Sequence, residues 1–340
     1  MNKARFQELA DRYRELRIAV VGDFCLDRYL EIDPGRSENS IETGREVHNV
    51  VNVRSQPGGS GTILNNLVSL GVGTIFPVGF CGDDGEGAEL LRALEAAGQQ
   101  IDLSHFIQTD QRRTFTYTKP LLIREGSPPE ELNRLDFKNW TATPAAISER
   151  ICATVSALGE TVDAIVVLDQ VDEPDTGVIT GPVLEALQEI GCRPDSPLIL
   201  GDSRNAIDRF PPVTLKVNDN EFRRSLASST ATDDATLEDL VRNAATTMSS
   251  RLFVTLGAAG ILCGEPGEGA EHVAARPLRG EIDIVGAGDS VTANLAASLA
   301  AGASNRESMI VSMAAASVVI HKLGTTGTAS PEEIAHLVPS

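Results

Sequence analysis

The residues best suited to do chemistry lie near the end of the chain, in the run Asp283-Ile-Val-Gly-Ala-Gly-Asp289-Ser290. An Ala-rich helical pattern follows at once, so Gly286, Ala287 and Gly288 stand where a helix begins. Their unpaired backbone N–H groups and the positive end of the helix dipole could face an anion. An aspartate beside a bound anion suits phosphoryl transfer, with Asp289 accepting a hydroxyl proton. A Gly-rich turn with Asp289 as the helix cap fits the spacing equally well.

A second glycine-rich run, Pro57-Gly58-Gly59-Ser60-Gly61, leads into another helical pattern that ends before Gly71. Paired glycines let the backbone approach a ligand closely, although turns of this kind are common. The sequence contains no G-x-x-x-x-G-K-[ST], G-x-G-x-x-G, H-E-x-x-H or G-x-S-x-G motif. P-loop, dinucleotide-binding, zinc hydrolase and serine hydrolase functions therefore have no motif in their favour.

Helices and strands must position these two glycine-rich motifs. Along most of the chain, short apolar segments alternate with longer helical patterns. This alternation predicts an α/β fold with a mostly parallel sheet covered by helices on both faces. The predicted strands are Arg17 to Gly22, Thr74 to Gly79, Ala164 to Asp169, Pro197 to Asp202, Leu215 to Asn218 and Leu252 to Leu256. The predicted helices are Gly61 to Leu70, Gly85 to Ala97, Pro144 to Leu158, Pro182 to Ile190, Leu237 to Met248, Gly288 to Ala301 and Arg306 to Leu323.

Two stretches interrupt the alternation, at about 24–53 and 112–124. The second contains β-branched and aromatic side chains between Thr114 and Thr118, which favour strands. We expect both stretches to form a small β-sheet lid over the carboxyl ends of the main sheet, where open α/β folds bind ligands. No linker composition divides the chain, so we expect a single domain over residues 1–340.

Charge and cysteine content narrow the class further. The 340 residues include 48 acidic and 29 basic side chains, a formal net charge of −19, which disfavours binding to nucleic acid or to a membrane surface. An anionic substrate would need local basic residues. Five widely spaced cysteines predict buried free thiols in a reducing cytosol. The charged, helix-like stretch Met1 to Arg17 is unlike a secretory signal, so we expect a cytoplasmic location.

Taken together, the runs resemble the ribokinase-like (PfkB) carbohydrate kinase family over almost the whole chain. Four segments match its order and spacing: Val21-Gly22-Asp23-Phe-Cys-Leu-Asp27-Arg28-Tyr29, Pro57-Gly58-Gly59, Val78-Gly-Phe-Cys-Gly82-Asp-Asp84-Gly-Glu-Gly87 and Gly286-Ala287-Gly288-Asp289. Within that family the chain looks most like the kinases of D-glycero-D-manno-heptose 7-phosphate. The segments that resemble this branch are Leu26-Asp27-Arg28-Tyr29, Arg134-Leu135-Asp136-Phe137, and Lys322-Leu323-Gly324-Thr325 followed by Ser330-Pro331.

The resemblance implies a role for particular residues. Asp289 would be the catalytic base, and Gly286, Ala287 and Gly288 the anion hole. The implied nucleotide-side residues are Arg204, Asn218, Glu221, Thr255, Gly257 and Gly260, with Glu221 positioning hydrated Mg²⁺. The implied substrate-side residues are Asp27, Gly58, Gly59 and Thr62. ATP and Mg²⁺ would be the cofactors, and K⁺ would bind near Asp283 and the Ile284 carbonyl. Each segment also has a plainer explanation: a loop after a strand for Asn218 to Glu221, a solvated charge for Arg204, a hairpin turn for Thr255 to Gly260, and a turn or cap for Asp27.

Three departures from the family bear on the substrate. Thr62 stands where an asparagine is usual, and Val285 stands where a threonine precedes the anion hole. The segment Asp169-Gln-Val-Asp-Glu-Pro174 is acidic where the heptose branch carries a lysine. The resemblance therefore implies phosphoryl transfer to a small-molecule sugar or sugar phosphate. A nucleoside or small-alcohol kinase of the same fold, and a non-catalytic sugar-binding sensor, are the alternatives.

Two further expectations follow from the resemblance. Lid strands often pair between subunits in this family, so we expect a homodimer through the lid. We do not expect the chain to continue into the nucleotidyltransferase domain to which some heptose kinases are fused.

Overall fold

Helices and strands alternate along most of the chain in the computed structural model, which describes residues 1–226, 236–324 and 326–338. Within these residues the helices are α1 (Lys3–Tyr13), α2 (Ser60–Leu70), α3 (Gly85–Ala97), α4 (Ala145–Leu158), α5 (Gly181–Gly191), α6 (Asp219–Ser225), α7 (Leu237–Met248), α8 (Ala287–Ala300), α9 (Asn305–Val319) and α10 (Pro331–Leu337). The strands are β1 (Arg17–Gly22), β2 (Phe24–Ile32), β3 (Glu38–Asn39), β4 (Glu46–Val47), β5 (Val50–Gly59), β6 (Thr74–Val78), β7 (Phe80–Gly82), β8 (Ile107–Thr109), β9 (Phe115–Leu122), β10 (Glu130–Glu131), β11 (Leu135–Phe137), β12 (Ala164–Asp169), β13 (Leu198–Ser203), β14 (Thr214–Asn218), β15 (Leu252–Thr255), β16 (Ile261–Gly264) and β17 (Ala270–Val273).

Eight of these strands form the main sheet, in the order β17, β16, β15, β14, β13, β12, β1, β6. Neighbouring strands from β6 to β15 pair in parallel, and β16 and β17 add an antiparallel edge. Parallel strands place their carboxyl ends on one edge of the sheet, and loops that follow these strands meet there. The α/β class with a mostly parallel central sheet and a smaller second sheet, expected from the sequence, is confirmed.

Alternate residues of the central strands pack into two separate cores, one on each face of the sheet. In β1, Ile18 and Val20 belong to one core, whereas Ala19 and Val21 belong to the other. Because both faces are buried, these strands are apolar throughout, and this is why their short apolar runs could be located in the sequence. Each fully buried aliphatic side chain contributes about 1.5–3 kcal/mol to the free energy of unfolding.

The boundaries of the predicted core elements agree with the structure, with one exception. Every end of the six predicted strands and seven predicted helices lies within one residue of the observed end, except that the helix predicted to run to Leu323 stops at Val319. The apolar run continues past this point, but the N–H of Asp283 donates to the carbonyl of Ile320, and the His321 ring bonds to the Ser317 carbonyl. The helix therefore ends where the Ile320 carbonyl accepts a hydrogen bond from the segment before α8.

The second sheet is smaller and has the strand order β10, β9, β2, β5, with β11 also pairing with β9. The stretches 24–53 and 112–124 contribute β2, the first part of β5 and β9, and β3 and β4 form a separate two-stranded ribbon. The sheet extends beyond both stretches, because β5 continues to Gly59 and residues up to Phe137 add β10 and β11. Strand β5 thus runs from the tip of the small sheet into the paired-glycine turn.

The cysteines depart partly from expectation. All five are free, and Cys25, Cys81 and Cys263 are buried as predicted. The prediction is wrong for Cys192, which is exposed, and Cys152 is only partly buried. Within the described residues, no helix combines the length and apolarity needed to cross a lipid bilayer.

Candidate active site

The predicted site residues meet at a single cleft of about 1050 Å³ between the carboxyl edge of the main sheet and the small sheet. The residues from the sequence prediction that line it are Asp27, Gly59, Thr62, Arg204, Asn218, Glu221, Thr255, Gly257, Ile284, Gly286, Gly288 and Asp289. Four predicted residues, Gly58, Ala287, Gly260 and Asp283, do not line the cleft. Residues separated by more than 200 positions in the chain are therefore brought to one place by the parallel sheet.

Helix α8 sets the position of Asp289. The helix packs against α2 and α9 and lies on β12 and β13, and its first turn opens into the cleft. Gly286 is the N-cap residue, with φ +80°, and among the described residues no side chain caps the helix. A Cβ atom on Gly286 would stand 2.4 Å from Cγ2 of Thr326, so both backbone conformation and space require glycine here. The carboxylate of Asp289 is not used as the cap and is left to face the cleft.

Within the turn, the amides are not equivalent. The N–H of Ala287 donates to the carbonyl of Ile284, at 3.2 Å. This corrects the sequence-based expectation for Ala287, because its amide is already occupied inside the turn. Gly286 and Gly288 are the glycines of the turn that line the cleft.

The surroundings of Asp289 poise its carboxyl group for proton transfer. Burial raises the pKa of Asp289 to about 6, the charges of Arg204 and Lys216 oppose this rise, and Asp202 and Asp27 add to it. A general base is most effective when its pKa is close to the working pH, since it is then ionised and still able to hold a proton. Asp289 can therefore accept a proton near neutral pH.

A buried ion pair beneath the turn was missed by the sequence analysis. Nζ of Lys216 lies 2.9 Å from Oδ2 of Asp202, and the hydroxyl of Thr292 donates to the same oxygen at 2.9 Å. Although burial opposes its charge, the Asp202 carboxylate raises the pKa of Lys216. One signal was available in the sequence, namely a lysine between Leu215 and Val217 in a strand that is otherwise apolar.

The motif from Asn218 to Glu221 opens helix α6 and serves as its capping box. Oδ1 of Asn218 accepts from the N–H of Glu221 at 2.9 Å, and Oε2 of Glu221 accepts from the N–H of Asn218 at 2.8 Å. Burial raises the pKa of Glu221. The motif therefore has a structural role, and its side chains also line the cleft.

The segment from Thr255 to Gly260 joins the antiparallel strands β15 and β16, as the hairpin interpretation predicts. Thr255 and Gly257 line the cleft, and Gly257 has φ +57°. Gly260 does not reach the cleft; it has φ +108°, and a Cβ there would stand 2.1 Å from the carbonyl oxygen of Val273. Gly260 is thus required by the hairpin, whereas Thr255 and Gly257 are the predicted residues of this segment that line the cleft.

The opposite end of the cleft is built by β2 and the paired glycines. Oδ1 of Asp27 lies 3.1 Å from Nζ of Lys119, and a Cβ on Gly58 would stand 2.5 Å from Oδ2 of Asp27. Gly59 has φ +58°, and a Cβ on it would stand 2.5 Å from the Asp23 carbonyl oxygen. The two glycines therefore allow the turn to close directly over the base of the small sheet.

Thr62 lies in this part of the cleft with its side chain largely buried. The nearby Asn66 does not line the cleft, because it is buried within α2 and its amide donates to the Thr62 carbonyl. Of the neighbouring helix residues, Thr62 is the one that lines the cleft.

Three cations gather at this same end, which the sequence analysis did not anticipate. Lys119, Arg134 and Lys138 all line the cleft. The guanidinium of Arg134 and the ammonium of Lys138 lie 5.0 and 5.9 Å from the ring centroid of Tyr117. Each of these cations is ion-paired with a carboxylate: Lys119 with Asp27 at 3.1 Å, Arg134 with Asp136 at 2.6 Å and Lys138 with Asp172 at 2.5 Å. An anionic ligand could bind these cations by taking the place of the carboxylates.

Asp283 and Ile284 precede the turn. Oδ1 of Asp283 accepts from the N–H of Val285 at 3.0 Å, and the Ile284 side chain is exposed. Among the described residues, no group of three or more His, Cys, Asp or Glu side chains could hold a metal ion. The last residue of the segment Lys322 to Thr325, which resembles the heptose kinase branch, falls outside the described residues.

Two buried carboxylates stand behind the cleft. Asp23 accepts from the backbone N–H groups of Gln170 and Val178, at 2.9 and 2.7 Å, and fixes the acidic loop after β12. Asp169 accepts from the hydroxyl of Ser203 at 2.9 Å. Its other carboxylate oxygen has no partner among the described residues. Burial raises the pKa of Asp23 to about 6 and that of Asp169 to about 7.

Comparisons with known proteins agree with this arrangement. Residues 183–333 match the model of the pfkB family carbohydrate kinases. In structure the chain is similar to Arabidopsis thaliana ribokinase complexed with ribose and ATP, with a TM-score of 0.67, 20% identity, and coverage of 95% of this chain and 98% of that one. It is similar also to Escherichia coli phosphofructokinase-2 in complex with fructose-6-phosphate, with a TM-score of 0.65, 17% identity, and coverage of 95% and 98%.

The fold and the family match point to one class: residues 183–333 match a pfkB carbohydrate kinase model, and the chain has a ribokinase-like fold. Among curated proteins, it is similar to the bifunctional protein HldE of Citrifermentans bemidjiense, with 29% identity over 337 residues. That match covers 98% of this chain and 66% of the relative, so the chain spans about two thirds of the length of this relative.

Proposed function

We propose that the protein is an ATP-dependent kinase that phosphorylates a hydroxyl group of a sugar phosphate, with Asp289 as the catalytic base. The observation that carries this proposal is the position of Asp289. Asp289 lines the same cleft as the predicted nucleotide-side residue Arg204 and the predicted acceptor-side residue Asp27, and the charges of both act on its carboxyl group. A nucleotide and an acceptor bound at these two residues would meet at this carboxylate.

In the proposed reaction, Asp289 takes the proton from the acceptor hydroxyl. The oxygen of that hydroxyl forms a bond to the terminal phosphorus of ATP, the bond from this phosphorus to the bridging oxygen breaks, and ADP leaves. The amides of Gly286 and Gly288, together with Arg204, stabilise the negative charge on the transferring group. Binding both substrates in one cleft supplies proximity, which lowers the barrier further.

The residues at the nucleotide end fit a hydrated magnesium ion. Of the carboxylate oxygens of Glu221, Oε2 is engaged by a backbone N–H, and among the described residues no donor occupies the other oxygen. Mg²⁺ at such sites retains several waters and needs only one or two protein carboxylates, so the small number of carboxylates fits. When bound, the ion neutralises charge on the phosphates. We propose Asp283 and the Ile284 carbonyl as the site for K⁺; a solved E. coli phosphofructokinase-2 is a complex with potassium.

The cations at the acceptor end support an acceptor that already carries a phosphate. A neutral sugar would need only hydroxyl-binding groups such as Asp27. An acceptor phosphate could instead replace Asp136 and Asp172 as the partner of Arg134 and Lys138, both of which line the cleft. The similarity to HldE and to the heptose kinase branch makes D-glycero-D-manno-heptose 7-phosphate our first candidate. The acidic segment Asp169 to Pro174 differs from that branch, so other sugar phosphates belong in the test.

The small sheet is proposed to act as the lid of a single domain and as a dimer interface. Strand β5 is at the edge of this sheet, and its outer part exposes Val50, Val51 and Val53. Edge strands with exposed apolar side chains are usually covered, and a second copy of the same strand is the proposed cover. Light scattering on the wild type and on Val51→Asp tests this: we expect a dimer that the charge weakens.

The kinase proposal is tested by measuring Mg²⁺-dependent ATP consumption across sugars, sugar phosphates and nucleosides, with Asp289→Asn as the blank. We expect turnover on a sugar phosphate that the blank lacks. Turnover confined to nucleosides or neutral sugars would overturn the acceptor assignment. Binding of ATP and sugar phosphate without turnover on any compound would favour the non-catalytic sensor.

A further inference from the structure

The ammonium group of Lys216 has no role in the reaction as described above, yet it lies directly under the anion-hole turn. The residue is only 5% exposed and lines the cleft from strand β14. A Cβ atom on Gly288 would stand 3.4 Å from Nζ of Lys216, so the glycine leaves the ammonium close to the turn. An ammonium group has three N–H donors. Among the described residues, Asp202 is the one hydrogen-bond partner of the Lys216 ammonium.

The partners of Lys216 fix it to the same helix that carries Asp289. Oδ2 of Asp202 accepts from Lys216 and from the hydroxyl of Thr292, each at 2.9 Å. The Thr292 hydroxyl also lies 3.1 Å from the carbonyl of Gly288. A movement of the ammonium relative to the turn would therefore break bonds on both sides.

A purely structural explanation of the ion pair is weak. Burying a lysine and an aspartate costs solvation free energy that their attraction often fails to recover, and an apolar pair is frequently as stable. Both neighbours of Lys216 in the strand, Leu215 and Val217, are fully buried and apolar. The ammonium is also placed where an anion is expected, and two of its donors have no hydrogen-bond partner in the part of the chain that the structure describes.

We propose that Lys216 is a further catalytic residue, whose ammonium group contacts the phosphoryl group in transfer at the anion-hole turn. Asp202 and Thr292 are positioning residues that hold the ammonium there. This inference rests on the proposed kinase function and adds a second cation to Arg204. It predicts that Lys216 distinguishes the terminal phosphate of the nucleotide from the inner two.

The test compares two nucleotides in the presence of Mg²⁺: ADP and the β,γ-imido analogue of ATP, which is not hydrolysed. Binding is measured by calorimetry on the wild type, on Lys216→Met and on the double variant Lys216→Met/Asp202→Asn, which leaves no buried charge unpaired. We expect the analogue to bind about 10- to 100-fold more weakly in both variants and ADP to lose less than about threefold. If Lys216→Met does not fold, the double variant alone decides.

Arg251→Met is the matched control, because Arg251 pairs with Glu265 at 2.8 Å and does not line the cleft. We expect this control to leave both affinities unchanged, and Thr292→Val to weaken the analogue more than ADP. Equal losses for ADP and the analogue, or no loss, would overturn the assignment. The calorimetric comparison of ADP with the ATP analogue needs no acceptor. A lack of turnover on every acceptor would therefore count against the kinase proposal, whereas the role of Lys216 would still be decided by nucleotide binding.

Discussion

The position of Asp289 predicts how activity depends on pH. With a pKa of about 6, the carboxylate is almost fully ionised at pH 8 and about one tenth ionised at pH 5. Since only the ionised form can accept the hydroxyl proton, kcat/KM should rise about tenfold between pH 5 and pH 7 and then reach a plateau.

Replacing Arg204 by methionine makes this prediction specific to the protein. The charge of Arg204 is the strongest influence that opposes the burial of Asp289. Removing a neighbouring opposite charge raises the pKa of a carboxyl group by about one unit or more. In Arg204→Met the acid limb should therefore move up by about one pH unit, to a midpoint near 7.

The assay is kcat/KM from pH 4.5 to 9, obtained from initial rates of ADP formation at acceptor and nucleotide concentrations below their KM values. Both substrates titrate near pH 6, so the informative quantity is the difference between the two proteins with the same substrates. Arg251→Met, which removes an arginine outside the cleft, should have the wild-type profile. An acid limb that stays in place in Arg204→Met would refute the assignment of Asp289 as the titrating base.

Three further predictions concern single residues. Asp169→Asn should stabilise the protein at pH 8 and not at pH 4. The native pKa of Asp169 is raised from 3.8 to about 7, so the free energy of unfolding of the wild type falls by up to about 4 kcal/mol as pH rises through this window. Urea titrations that give equal gains in stability at both pH values would contradict this. Arg134→Met should raise KM for a sugar phosphate about tenfold and leave KM for ATP unchanged, as initial rates would show; a parallel rise in both would count against an acceptor role. Gly286→Ala should lose far more stability and activity than Gly71→Ala. Both glycines have φ near +80°, but a Cβ atom would meet Thr326 at position 286 and would meet no atom within 4 Å at position 71. Similar melting temperatures for the two variants would contradict this packing argument.

The central α/β framework could be predicted because its signals are local. Strands such as β1 and β12 are buried on both faces and therefore appear as short apolar runs, and helices such as α3 and α7 have clear ends. Of the antiparallel edge strands, β16 follows from the hairpin interpretation of Thr255 to Gly260, whereas β17 was not predicted. Strand β17 is four residues long and partly exposed, so it leaves no distinct pattern.

The candidate site was predictable where glycines and acidic residues form a contiguous motif. Two turns could be found from the sequence, because each is identified by glycines that are neighbours in the chain. They are the run from Gly286 to Asp289 and the turn at Gly58 and Gly59. Lys216 was not found, because its meaning depends on Asp202, which comes from another strand and pairs with it only in the folded sheet.

The cations of the acceptor end were missed for a similar reason. Lys119 lies on β9, and Arg134 and Lys138 flank β11, a strand too short to be predicted. The pairing of β11 with β9 brings Arg134 and Lys138 to Tyr117, on the strand that carries Lys119. A chain of strongly negative net charge gave no hint that a cationic group would form.

The most direct test of the account is phosphoryl transfer by Asp289→Asn, compared with the wild type on the best acceptor, with phosphorylated product followed by ³¹P NMR and substrate binding by calorimetry. The account predicts that the variant binds ATP and acceptor as the wild type does and forms product at least about 10³-fold more slowly. Product formation by the variant at a rate near that of the wild type would contradict the claim that this carboxylate is the catalytic base.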